Sequence, residues 1–196
     1  MSRRMLVVGA IAMLAVAGGW WAIASYSARR TSGGQVPGAT PAASAAGTDA
    51  RKITATLYFV SDDGMALVGV QREVPFGETV LDQAKQIVTS QLAVAPAPLV
   101  SAIPPETALR ALYLTERGDA FVDLSADART RHPGGALDEL FTVYTIVNAL
   151  TTNLPAVKRV QILIEGKEVD TLAGHVDLRH PLQKNLKWVR TEKGDT

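Results

Sequence analysis

The chain has 196 residues, a formal net charge of +1 and no cysteine. The length predicts one folded domain with appendages, and the balanced charge argues against a nucleic-acid partner. The missing thiol excludes cysteine catalysis, disulfides, thiolate metal sites and attachment of a lipid to a lipobox cysteine.

An uncharged apolar stretch follows the first arginines. Residues 5–24 would form a helix roughly 30 Å long, the thickness of the hydrocarbon core of a bilayer. We expect residues 1–30 to be a signal anchor in the inner (cytoplasmic) membrane, with the remaining chain on the extracytoplasmic or periplasmic side. The alternative is a signal peptide that is cleaved near Ala24, which would release a secreted protein.

A segment rich in glycine, alanine, proline and serine comes next. Residues 31–52 bury too little apolar surface to offset the entropy of ordering their backbone. We therefore predict a disordered tether between the membrane and the folded domain.

The first predicted elements are two strands and a helix. Residues 53–60 alternate in the period of a strand, and residues 65–74 form a second strand after a turn. Thr79 is followed three residues later by Asp82, which is typical of the start of a helix. The predicted helix ends near Leu92, before a proline-rich stretch.

The second half of the chain has the same order of predicted elements, two strands followed by a helix. Residues 109–115 and 120–125 predict a hairpin, and the apolar period of residues 136–152 predicts a long helix that Pro155 ends. Residues 158–167 predict a central strand, after which residues 169–178 form a hairpin arm or an ordered loop.

The order β-β-α-β-β-α-β predicts an α+β fold for residues 53–182. The simplest arrangement is a small, mostly antiparallel sheet with two helices packed on one face, preceded by one transmembrane helix. Residues 183–196 are expected to be a charged, solvated C-terminal tail.

Several stretches resemble one known family. YTIVNALT, Pro155, VKRVQILIEGK and GHVDL resemble the C-terminal signature of the sporulation and spore-germination domain called GerMN. LYFVSDDG with LVGVQREV resembles its first two strands, and IPPETALRAL with GDAFVDLS resembles its middle hairpin. The family is similar to the ring-building modules of bacterial envelope machines. The resemblance implies a non-catalytic assembly or ligand-binding domain at the cell envelope.

Five residues are candidates for a family signature that contacts a ligand or an interface: Asn148, Thr151, Gly166, His175 and Asp177. Asn148 lies on the apolar side of the long helix, where a buried amide must be hydrogen-bonded. We expect it to bond the backbone of an adjacent loop, with a ligand contact as the alternative. Thr151 is expected to bond a carbonyl near the helix end, and His175 and Asp177 to bond each other on one strand face.

Other patterns have simpler explanations. The Arg-Gly-Asp tripeptide at 117–119 fits a hairpin turn rather than integrin binding. The spacing of His132, His175 and His180 does not fit a zinc site. The carboxylates are scattered and no nucleophile elbow is present, so we expect no enzyme activity, cofactor or metal.

These observations predict a non-catalytic, membrane-tethered module for protein–protein assembly. The partner would be an envelope protein or a second copy of the chain, and it would dock on an exposed strand edge at 109–115 or 169–178. The alternative is a module that binds peptidoglycan or another envelope glycan, with Tyr58, Tyr113 and Trp188 as flat platforms for sugars.

Overall fold

The computed structural model describes residues 51–190, so the predicted membrane segment and residues 31–50 of the predicted tether lie outside the described residues. The predicted order β-β-α-β-β-α-β is confirmed, with one short helix and three short strands added. The elements are β1 (Lys52–Val60), β2 (Leu67–Pro75), α1 (Val80–Leu92), β3 (Leu109–Leu114), β4 (Asp119–Leu124), α2 (Asp127–Thr130), α3 (Ala136–Asn153), β5 (Arg159–Ile164), β6 (Lys167–Glu168), β7 (Leu182–Gln183) and β8 (Val189–Arg190). Within 51–190, no helix has both the length and the apolar character needed to cross a bilayer.

The start of α1 shows how the sequence sets a boundary. The hydroxyl oxygen of Thr79 accepts a hydrogen bond from the backbone N–H of Asp82 at 3.0 Å. The same hydroxyl donates to the Asp82 carboxylate at 2.7 Å. The predicted helix start is therefore confirmed, because this pair satisfies a backbone donor that the first turn would leave free.

The strands form two mixed sheets instead of the single sheet that was predicted. One sheet has the order β1-β2-β8, and the other has the order β3-β4-β5-β6 with β7 also paired to β5. β4 runs parallel to β5 because the long helix α3 connects them, and such a crossover returns the chain in the same direction. The α+β class is confirmed, whereas the arrangement of one sheet with helices on one face is not.

The core lies around α3. This helix contacts β1 of the first sheet and β5 of the second, and it also contacts α1. Phe59, Ile87, Ile146 and Ile162 come from these four elements and are all fully or almost fully buried. Because α3 contacts both sheets, apolar residues surround this helix almost completely.

Residues 182–190, here called the C-terminal strap, connect the two sheets. β7 pairs with β5, and β8 pairs in parallel with β2. Arg190 at the end of the strap contacts Asp63 at 2.6 Å. The expectation of a solvated tail from residue 183 was wrong for these residues, because the strap is part of the fold as far as Arg190.

Candidate functional site

The outer edge of β1 is closed by side chains and by one bridging residue. Asn153 bonds the N–H and C=O of Thr56 at 2.8 and 2.7 Å. Gln91 bonds the N–H and C=O of Tyr58 at 2.9 and 2.7 Å. Val60 exchanges two backbone bonds with Val100, at 2.8 and 3.0 Å. Each side-chain amide thus takes the place of a neighbouring strand, so this edge offers no free backbone groups at these three residues.

The outer edge of β2 is different. The backbone N–H and C=O groups of Thr56, Tyr58 and Val60 point away from β2. Because the two strands are paired antiparallel, every second β2 residue likewise points its backbone groups away from β1. Leu67 is the first of these, and its N–H donates to Trp188 at 2.8 Å.

Among residues 51–190, β8 pairs with the beginning of this edge, where Leu67 lies opposite Val189 and Val68 opposite Arg190. No other strand of this range lies beside β2 on this side. Gln71 and Glu73 point their backbone groups outward and both residues are exposed. We call the stretch from Gly69 to Glu73 the open edge. It is a short strand edge able to accept another extended segment.

A groove of about 380 Å³ lies at the end of the open edge nearest the strap. The hairpin contributes Thr56, Tyr58, Val68 and Gly69, and the strap contributes Leu186, Val189 and Arg190. A Cβ atom at Gly69 would lie 3.2 Å from Thr56 Cγ2 and 3.5 Å from Tyr58 Cε1. Because Gly69 has no side chain, the groove is not filled at this position beside the open edge.

Asn148 is placed by α3 and is fully buried. Its Nδ2 donates to the carbonyl of Asn185 at 2.8 Å, and its Oδ1 accepts from the N–H of Asn185 at 2.9 Å. The expected backbone partner is therefore present, and it belongs to the C-terminal strap. The amide holds the middle of the strap against the helix.

Thr151 and Gly166 also have local partners. The hydroxyl of Thr151 donates to the carbonyl of Val147 at 2.7 Å, one turn earlier in α3. Gly166 lies in the turn between β5 and β6 with φ of 74°, a conformation that suits glycine. Its N–H donates to Asp123 at 2.7 Å.

The structure does not bring His175 and Asp177 together. The ring of His175 contacts Glu139 at 3.2 Å, and Asp177 is paired with Arg179 at 2.9 and 2.8 Å. Arg179 holds the pKa of the Asp177 carboxyl well below its usual range. The predicted mutual bond on a strand face was wrong, because residues 169–178 form a loop and not a strand.

Glu139 organises this loop, although the sequence analysis missed it. Its carboxylate accepts from the N–H groups of Leu172 at 2.7 Å, Ala173 at 2.9 Å and His175 at 2.7 Å. Burial alone would raise the pKa of Glu139, but these backbone donors lower it below its usual value. The three converging N–H groups form a concave site for an anion, and the protein fills it with its own carboxylate.

The tripeptide and the histidine considered as a possible metal ligand form contacts within the protein. Asp119 of the Arg-Gly-Asp tripeptide forms a two-pronged pair with Arg159 at 2.6 and 2.8 Å, and Gly118 has φ of 89° in the predicted turn. His132 contacts the hydroxyl of Thr142 at 3.2 Å. Among residues 51–190, no group of three acidic or histidine side chains is arranged to hold a metal ion.

The two docking surfaces expected from the sequence are less suitable than the open edge. Residues 169–178 form no strand, so they present no strand edge. β3 lies at the end of its sheet, but Leu112 in its middle is only 3% exposed. Neither the side chain nor the backbone of this central residue is accessible to a second strand.

Comparisons with known proteins identify the family. A family model described as Germane, sporulation and spore germination, matches residues 56–170, which is well over half of the chain. The chain belongs to the Germane family. This confirms the resemblance found in the sequence. No curated protein matches the chain at a significant level.

Three solved structures that are similar to this chain come from Clostridium perfringens and Bacillus subtilis. A Clostridium perfringens protein described as a lipoprotein is 22% identical with a TM-score of 0.50, over 68% of this chain and 88% of that chain. The tandem GerMN domains of the Bacillus subtilis sporulation protein GerM are 19% identical with a TM-score of 0.51, over 69% of this chain and 46% of theirs. The first GerMN domain alone is 18% identical with a TM-score of 0.51, over 67% and 97%.

Proposed function

We propose that this Germane protein is a non-catalytic, membrane-tethered module that binds a protein partner at the bacterial cell envelope. The partner adds an extended segment to the open edge of β2, from Gly69 to Glu73. Strand addition of this kind takes its affinity from main-chain hydrogen bonds and its specificity from nearby side-chain pockets. The groove beside Gly69 provides such a pocket.

The contrast between the two edges of the β1–β2 hairpin carries this proposal. Asn153, Gln91 and Val100 close the edge of β1, whereas Gln71 and Glu73 on β2 are exposed. Proteins commonly cover strand edges because unpaired backbone groups template aggregation. The closure of β1 at Thr56, Tyr58 and Val60 beside exposed residues on β2 supports the open edge as the docking site.

Two observations support a location outside the cytoplasm at a membrane surface. Residues 5–24 carry no charge and are long enough to span a bilayer as a helix. A solved relative is described as a lipoprotein. Because this chain has no cysteine to carry a lipid, we assign the tethering to residues 5–24.

A glycan-binding module is the weaker alternative. Tyr58 is only 3% exposed and is unsuitable as a sugar platform, whereas Tyr113 is 60% and Trp188 41% exposed. Tyr113 belongs to β3 of one sheet, and Trp188 immediately precedes β8 of the other. Aromatic rings that line one sugar site are expected on a common surface, so the strand edge is the better supported site.

The test is photocrosslinking in intact cells with a photoreactive residue in place of Gln71. Glu168 in β6 is the matched control position, since it is exposed and belongs to the other sheet. We expect covalent adducts with a defined protein from position 71 and none from position 168. No protein adduct from position 71, or equal adducts from both positions, would contradict the proposal. Binding of purified cell wall by the protein would support the glycan alternative.

A further inference from the structure

The groove beside Gly69 determines what kind of segment the open edge accepts. A segment added to β2 places one residue directly opposite Gly69, with its side chain on the same face of the sheet. Gly69 has no side chain to fill this face, and a groove of about 380 Å³ lies there. We propose that the added segment carries an aromatic residue opposite Gly69 and that its ring occupies this groove. The inference rests on the proposed function and names the chemistry of the partner.

One wall of the groove is the aromatic ring of Tyr58. This residue lies opposite Gly69 in the register of β1 and β2. A Cβ atom at Gly69 would be 3.5 Å from Cε1 and 3.9 Å from Cδ1 of the ring. An aromatic residue on the neighbouring strand commonly covers a glycine at a sheet edge, and two rings attract each other in offset or edge-to-face arrangements. The pair of Gly69 and Tyr58 therefore favours an aromatic residue at this position of the added segment.

The C-terminal strap forms the other wall of the groove, with Leu186, Val189 and Arg190. The guanidinium of Arg190 contacts Asp63 at 2.6 Å, which holds it in place. A flat ring packs against aliphatic side chains and also attracts a guanidinium to its face, an attraction that an aliphatic residue lacks. The residues of this wall therefore favour an aromatic residue over an aliphatic one.

The far end of the open edge favours a basic residue. Glu73 is exposed and lies on the same sheet face as Gly69, because alternate residues of a strand share a face. Lys52 donates to one oxygen of Glu73 at 2.9 Å and lowers the pKa of this carboxyl, which is ionised at neutral pH and has a second oxygen for another cation. Opposite charges on facing positions stabilise pairing. In an antiparallel segment, the more stable arrangement per residue, the basic residue comes first and the aromatic residue last.

The open edge of a second copy of the chain does not meet these requirements. An antiparallel alignment that sets Glu73 of one copy opposite Gly69 of the other brings Val74 beside Val68. β8 already pairs with Val68, so the two strands would collide there. Other alignments set Arg72 opposite Arg72 or Glu73 opposite Glu73, and like charges directly opposite are unfavourable. The partner is therefore a different protein, whose segment ends or bends away opposite Gly69.

The test uses the full-length chain in detergent and two synthetic peptides. In the first peptide, lysine, valine, threonine, valine and phenylalanine follow one another, so that they lie opposite the open edge from Glu73 back to Gly69. In the second peptide, alanine replaces the phenylalanine. The affinity of each labelled peptide is measured by fluorescence anisotropy. The comparison of the two peptides on the unmodified chain does not depend on the folding of any variant.

A variant with a filled groove separates the groove from the rest of the edge. Gly69→Leu supplies the protein's own side chain, and Thr56→Ser in the same variant removes the methyl group that would lie 3.2 Å from the new Cβ atom. Gly69 does not have a positive φ, so its backbone accepts a side chain. Thr56→Ser alone is one control. Gln71→Leu is the other, because it adds the same side chain to the same face of the edge but not at Gly69.

We expect the phenylalanine peptide to bind the unmodified chain at least about tenfold more tightly than the alanine peptide, because only the ring is buried in the groove. The filled variant should bind the phenylalanine peptide at least about tenfold more weakly than either control does. Equal affinities of the two peptides, or unchanged binding by the filled variant, would overturn the inference. Binding of neither peptide would also overturn it, and a protein adduct from position 71 in cells would then leave the proposed function standing.

Discussion

The buried amide of Asn148 and the backbone of Asn185 form a closed pair of hydrogen bonds, 2.8 and 2.9 Å long. The two residues are 37 positions apart, one on α3 and one in the C-terminal strap. The Asn148 side chain of α3 therefore binds the segment that follows β7. It fixes the strap between its two strand pairings, and the strap in turn sets where β8 meets the open edge.

Replacing Asn148 is predicted to destabilise the protein. Asn148→Ala leaves the N–H and C=O of Asn185 without their partners, which costs about 1–3 kcal/mol. Asn185→Ala is the matched control, because both bonds come from its backbone and are retained. Chemical denaturation in detergent should show a large loss of unfolding free energy for Asn148→Ala only. Equal losses for the two variants would contradict the role assigned to the amide.

The closed edge of β1 depends on Gln91. Gln91→Ala leaves the buried N–H and C=O of Tyr58 unpaired, with an expected loss of about 1–3 kcal/mol of unfolding free energy. It also opens a second strand edge, so self-association should increase in sedimentation velocity measurements. Gln71→Ala on the open edge serves as the control and should change stability by less than about 0.5 kcal/mol. A monomeric, fully stable Gln91→Ala variant would show that the amide does not protect this edge.

The buried Glu139 is predicted to hold the loop that contains His175. Glu139→Ala removes the acceptor of three backbone donors at once, and should cost more than about 3 kcal/mol. Glu139→Gln should cost less, because its remaining oxygen can still accept from Leu172 and Ala173. Denaturation and limited proteolysis of the loop measure both effects. The exposed Glu168→Gln is the control, and a Glu139→Ala variant as stable as this control would contradict the account.

Acid should weaken the contact between Asp63 and Arg190. The pKa of Asp63 is lowered from 3.8 to about 2 in the folded protein. Because the pKa is lower in the folded protein, the ionised carboxyl stabilises the fold at pH values above 3.8, the ordinary pKa of the group. This contribution to the unfolding free energy is lost as the pH falls from 3.8 through about 2. Asp63→Asn should therefore be less stable than the unmodified chain at neutral pH and equal to it at the acid end. A stability difference that is independent of pH would contradict this assignment.

The sequence was sufficient for the long elements and insufficient for the short ones. The alternation in β1 and the Thr79 cap predict their boundaries because each is a local pattern. β7 and β8 have two residues each, which is too short for any periodicity to be visible. The segment between them is bonded to Asn148, 37 residues away from Asn185 in the chain, and no local pattern predicts such a contact.

For the polar residues too, the local sequence predicts some contacts and not others. Asn148 was identifiable because an amide on an apolar helix face must find a partner. Glu139 lies in the first turn of α3, where an acidic residue is ordinary, so nothing in the local sequence indicated its burial under the loop. The sequence analysis did not single out Gln91 and Asn153 near two helix ends, and only the fold reveals that they bond β1.

Partner binding at the open edge is tested most directly by a proline at position 71. The N–H of Gln71 points away from β1, so Gln71→Pro removes an outward donor while the hairpin bonds to β1 remain, as at other edge-strand prolines. Gln71→Ala is the control and keeps the donor. The measurement is the yield of the partner adduct in intact cells from a photoreactive residue at Glu73. We predict that Gln71→Pro abolishes the adduct and Gln71→Ala retains it, whereas an unchanged yield with the proline would contradict strand addition.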